Sequence, residues 1–178
     1  MAIPDIVLPV TKPETEWVRG RPLQKVSPTR SHALLQFAIA SALHAWAGER
    51  GEVGTEWRFR VAPPGEAARP LVPDVVYVDA SRLRGLRGDE LEVPRLSPDV
   101  AVEVLSPDDR RIDVDSKIAT YLSAGSRLVL IVDPQTETVE LHDRSRGHVL
   151  RHGQVVEHAA LPGFKLSVSE LFDTIAPP

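Results

Sequence analysis

The sequence predicts an α/β domain: a mixed β-sheet with helices packed on both faces, its core elements running α-β-β-β-α-β. Three observations carry this expectation. Apolar residues recur at helical spacing after residue 29, and again between Ile112 and Leu122. Two short runs, Val100–Val104 and Leu128–Val132, are apolar on both faces apart from Glu103, as expected of central strands covered on both sides. The 178 residues and 42% hydrophobic content suffice for the core of one such domain.

In chain order, residues 1–13 carry several prolines and no periodicity, and are expected to form a flexible arm ahead of a single domain over 14–175. The first long helix has Leu34, Leu35, Ala38, Ile39, Ala42, Leu43 and Trp46 on its apolar stripe; Ser27 or Thr29 caps it, and Gly48 and Gly51 end it. Residues 53–61 alternate apolar and polar as one strand, closed by Pro63-Pro64-Gly65. A second strand begins at Asp74, and residues 80–97 read as a long Arg-rich connection. The third strand, 99–105, leads through Ser106-Pro107 into the second helix, which Gly125 stops. Another buried strand follows to Asp133, then a hairpin at 139–142, further short strands, and a closing helix near Ser169–Phe172.

Composition narrows the function. No cysteine is present, which excludes disulfides, thiolate metal sites and a cysteine nucleophile. A net charge of −4 argues against nonspecific coating of nucleic acid but leaves room for a local basic groove. No basic-plus-apolar leader opens the sequence and no apolar run nears membrane-spanning length, so the expectation is a soluble, cytoplasmic protein with no membrane partner. Arginine dominates the basic residues: of 21 Lys and Arg, only Lys12, Lys25, Lys117 and Lys165 are lysine.

Glu103, Asp74 and Lys117 stand out. An ionised Glu103 amid Val100–Leu105 costs several kcal/mol unless paired or bound to a cation; the plainer reading is a strand-end salt bridge. Asp74 heads an apolar strand directly after Pro73, a place where turn aspartates are also common. Asp113, Lys117 and Tyr121, spaced by four, share a helix face that either turns to the sheet or carries only an exposed Asp113–Lys117 pair. Together, two acids on neighbouring strands and a lysine on the next helix make a compact cation site. Phosphodiester hydrolysis needs such a site: carboxylate-held Mg²⁺ or Mn²⁺ stabilises the added negative charge and activates water, and a lysine assists.

The ordered set P-D, E-V-L-S-P and D-x-x-x-K-x-x-x-Y resembles the Uma-two family of putative restriction endonucleases, within the PD-(D/E)XK nuclease superfamily. So do E-W-V-R-G, His32, G-T-E-W-R-F-R and the terminal L-P-G-F…L-F, over roughly Glu16 to Phe172. The resemblance implies a restriction-endonuclease-like fold with a C-terminal β-hairpin region. It also implies metal ligation by Asp74, Glu103 and the backbone carbonyl of Val104. The superfamily's lysine usually lies two residues after the Glu, where this chain has Leu105, so the resemblance assigns its role to Lys117. A further acid is expected from Glu56 or Glu16, with Tyr121 and His32 as accessory candidates and ordinary surface or core roles as the alternatives.

Arg82, Arg84, Arg87, Arg110 and Arg111 are candidate phosphate contacts, although such loops are usually just solvated. The expected function is a Mg²⁺- or Mn²⁺-dependent endonuclease acting on DNA; cutting both strands needs two sites, as in a homodimer, or two visits. The alternatives are a catalytically inactive nuclease-fold binding or regulatory module and a hydrolase of small phosphates.

Overall fold

The computed structural model describes residues 3–177. A tight hairpin comes first, β1 (Thr15–Val18) and β2 (Arg21–Gln24). Arg19 and Gly20, both at positive φ, form its turn. Helix α1 (Arg30–Ala47) then starts at Thr29, whose hydroxyl accepts the His32 N–H, and closes at Gly48 with φ of 52°. Of the two expected caps, Thr29 is therefore the one used.

A 3₁₀ turn leads into β3 (Gly51–Thr55), followed by β4 (Phe59–Val61), β5 (Arg69–Leu71) and β6 (Val75–Asp79). Two single-turn helices, α2 (Ala80–Leu83) and α3 (Asp89–Glu92), fill the Arg-rich connection before β7 (Val100–Val104). Helix α4 (Arg111–Ser123) crosses over to β8 (Leu128–Asp133). Then come β9 (Thr138–His142), β10 (Gly147–Leu150), the hairpin β11 (Val155–His158) and β12 (Leu161–Ser167), and α5 (Val168–Asp173).

Six strands form the main sheet in the order β10-β9-β8-β7-β6-β3. Among the described residues only the β7–β8 pair is parallel, and α4 is its crossover, as a parallel pair requires. On one face, α1 contributes Leu35, Ile39 and Leu43 against Val75, Tyr77, Val100, Val102, Leu128 and Leu130. Each of those leucines and isoleucines contributes roughly 1.5–3 kcal/mol by leaving water. On the other face, Ile118 and Tyr121 of α4 cover Val76, Ala101, Val129 and Ile131. The core order α1-β3-β6-β7-α4-β8 is the predicted one.

Two local expectations differ from the structure. The alternation over 53–61 is not one strand: Glu56 has φ of 52°, and the chain turns there from the main sheet into the separate β4–β5 pair. Apolar alternation persisted across the turn because Trp57 and Phe59 line a second apolar cluster. Gly51 does not end α1 but begins β3, paired with Asp79. Among the described residues, no helix is long and apolar enough to cross a membrane.

Candidate active site

Register brings the two predicted acids together. In the antiparallel β6–β7 pair, Val75 faces Val102, so one step further along the ladder Asp74 meets Glu103. Asp74 precedes β6 and Glu103 nearly ends β7, which puts both at one end of the sheet. They are 2% and 7% exposed, and ionised carboxylates at that depth need partners.

Asp74 has three. Its Oδ1 lies 2.6 Å from Lys25 Nζ. Its Oδ2 accepts the Val104 N–H at 2.6 Å and lies 3.3 Å from His32 Nε2. Burial works against the charge, but His32 and Lys25 outweigh it and hold this carboxyl well below the usual range. The same pairing raises His32 above its ordinary value against the opposing effect of burial. His32 Nδ1 is buried and makes no hydrogen bond among the described residues.

Glu103 is bound from the facing helix. Lys117 Nζ approaches its Oε2 to 2.6 Å, and the Tyr121 hydroxyl donates to Oε1 at 2.9 Å. Burial is the largest influence and pushes Glu103 up to about 7 despite the ammonium beside it. Lys117 also donates at 2.8 Å to Glu16 Oε2, and the other oxygen of Glu16 accepts the Val72 N–H at 2.7 Å. Burial opposes the lysine charge too, yet Glu103 and Glu16 keep its pKa above the ordinary value. Helical spacing does turn Asp113, Lys117 and Tyr121 inward, all three buried. The simple Asp113–Lys117 surface pair does not form; Asp113 instead holds Arg21 at 3.0 Å and Arg19 at 3.4 Å, tying the β1–β2 turn to α4.

The other candidate for the further acid, Glu56, joins Asp74 through a shared lysine. Its Oε2 receives Lys25 Nζ at 2.9 Å, and its Oε1 receives Gln36 Nε2 at 3.1 Å. A third oxygen, the Val72 carbonyl, takes Lys25 at 2.8 Å. Lys25 is thus a site residue that the sequence reading did not select. Its rarity was a usable signal, because two of the chain's four lysines meet here. Gln36, which also donates to the Asp74 carbonyl at 2.9 Å, gave none.

Asp74, Glu103, Lys117 and Lys25 line a cavity of about 320 Å³, together with Glu16, Arg21, His32, Val104 and Arg110 among others. Arg82 lies elsewhere, paired with Asp99 and bordering a separate groove. Arg84 and Arg87 are exposed on the loop after α2. Arg111 is taken up by Asp115 and Glu140.

The donors suit a hard divalent cation: carboxylate and main-chain oxygens, with no soft ligand. Among the described residues, no three acids or histidines already converge as a metal shell. The cations now balancing these acids are the two lysines. Lys25 Nζ, surrounded by three oxygens, marks a position that a cation can occupy.

Sheet order and site together define a protein of restriction-endonuclease-like fold. The fold recurs in the crystal structure of a putative nuclease belonging to DUF820 from Anabaena variabilis ATCC 29413, with a TM-score of 0.84 at 24% identity over 95% of each chain. The family model Uma2, described as "Putative restriction endonuclease", matches residues 7–169, and the chain belongs to that family. Nuclease is therefore its functional class. No curated protein matches the chain.

Proposed function

We propose that the protein is a divalent-metal-dependent endonuclease that hydrolyses phosphodiester bonds in DNA. One observation carries the reading: Asp74 and Glu103 adjoin at the end of neighbouring strands, with the Lys117 ammonium 2.6 Å from Glu103 at an open cavity. Asp74, Glu103 and the Val104 carbonyl would hold Mg²⁺ or Mn²⁺, which supplies positive charge for the phosphate oxygens and acidifies an attacking water.

The chain's own groups divide the remaining work. Lys117 presents its ammonium to the negative charge that builds on the phosphate. Glu16 positions that lysine, and Tyr121 orients the Glu103 carboxylate. His32 fixes Asp74 through its Nε2. Arg21 and Arg110, on the cavity wall, are placed to contact flanking phosphates, and the exposed Arg84 and Arg87 to reach more distant ones. Cutting both strands of a duplex needs two such sites or two visits by one, and a homodimer would provide the two sites.

The test is supercoiled plasmid incubated with protein and Mg²⁺ or Mn²⁺, alongside EDTA and Glu103→Ala controls. The expected result is metal-dependent nicking or linearisation that is lost in the variant, with at least a hundredfold loss for Lys117→Ala. A second reading, an inactive binding module, draws support from the lysines that already neutralise the acids; it predicts intact plasmid and no metal uptake.

A further inference from the structure

Lys25 Nζ sits among Asp74 Oδ1 at 2.6 Å, Val72 O at 2.8 Å and Glu56 Oε2 at 2.9 Å. Two carboxylates and a main-chain carbonyl are the donor types that hold a hard metal ion, and here they hold an ammonium. Lys25 comes from the stretch immediately after β2, not from the sheet or a helix, and its neighbours Val26, Ser27 and Pro28 are exposed. A flexible four-carbon stem carries its charge into the site, where its side chain is only 13% exposed.

We propose that Lys25 is a built-in counter-ion that competes with the divalent metal for Asp74, so that metal entry expels its ammonium from the site. The inference rests on the metal-dependent reading above and adds a regulatory element to it. In the metal-free protein the ammonium compensates the buried Asp74 carboxylate, which would otherwise cost several kcal/mol, and bridges it to the more exposed Glu56. When metal binds Asp74, the ammonium and the ion share one carboxylate and repel. Glu56 and the Val72 carbonyl alone hold Lys25 more weakly, and the side chain swings toward solvent with the segment that carries it. The exchange lowers apparent metal affinity, because every binding event must break these contacts.

Two measurements test the exchange. In the first, Mn²⁺ is titrated calorimetrically into wild-type, Lys25→Met and Arg110→Met proteins. Arg110 is a control for simple loss of positive charge, since it lines the same cavity without pairing with any of the site's acids. Lys25→Met is expected to bind at least tenfold more tightly, and Arg110→Met within about twofold of wild type. Binding by Lys25→Met alone would support the exchange in its strongest form. Equal affinity in all three proteins would overturn it and leave the metal site standing. Absence of binding in every protein would overturn the exchange and the metal-dependent reading together.

The second measurement uses unaltered protein, and so holds even if Lys25→Met fails to fold. Modification of Lys25 by a small amine-acylating reagent is followed by mass spectrometry with EDTA and with saturating Mn²⁺. Metal is expected to accelerate it severalfold, with Lys165, exposed in both states, unchanged. A Lys25 rate insensitive to bound metal would overturn the proposal.

Discussion

Glu103 is caught between opposing influences: its burial favours the neutral acid, while Lys117 favours the carboxylate. The balance lifts it from an ordinary 4.5 to about 7. Metal ligation requires the ionised form, so Mn²⁺ affinity should climb as pH rises through about 7 and level off above it. Replacing Lys117 with Met removes the favourable charge, raises the Glu103 pKa further and moves that rise to higher pH. Calorimetric titrations at several pH values check both the direction and the displacement. Linkage gives the stability of the metal-free protein the opposite slope. Between about 4.5 and 7 the unfolded chain has released the Glu103 proton that the folded one retains, so this group's contribution falls as pH rises. Glu103 stood out because a charge inside an apolar strand is anomalous, whereas Asp74 and Lys117 each had an ordinary reading alone and stood out only in combination with it. Lys25 did not, since its loop has no periodicity and its acids lie 31 and 49 residues away in sequence.

At the scale of elements, the β3–β6 pair depends on one position without a side chain. A Cβ at Gly51 would lie 2.2 Å from the Val78 carbonyl oxygen and 2.6 Å from Tyr77 Cε2. A backbone oxygen within a ladder cannot yield, so Gly51→Ala should cost about 2 kcal/mol, a melting-temperature drop of roughly 4–8 °C. Thermal unfolding followed by circular dichroism measures it. Periodicity exposed the elements with long, regular burial: α1, β7, α4 and β8. It missed the β1–β2 hairpin, whose strands are four residues each: one of the two buried positions of β1 is the charged Glu16, and β2 buries its alternate residues only in part. It also missed β5, where Pro70 sits in a three-residue strand. The break at Glu56 escaped because a single left-handed residue leaves the apolar alternation intact.

For the whole molecule, a ligand that binds only the folded chain raises its stability. At a hundred times its dissociation constant, Mn²⁺ should add about 2.7 kcal/mol, and hence roughly 5–10 °C to the melting temperature; Glu103→Ala should show no such rise. The Lys117–Glu16 ion pair joins residues 101 positions apart. Contacts so remote along the chain close late, after the loop entropy between them has been overcome. A refolding chain can therefore complete its sheet and helices while still lacking the hairpin that holds the lysine. Nuclease activity would return after the backbone signal, making catalysis the last property the molecule acquires.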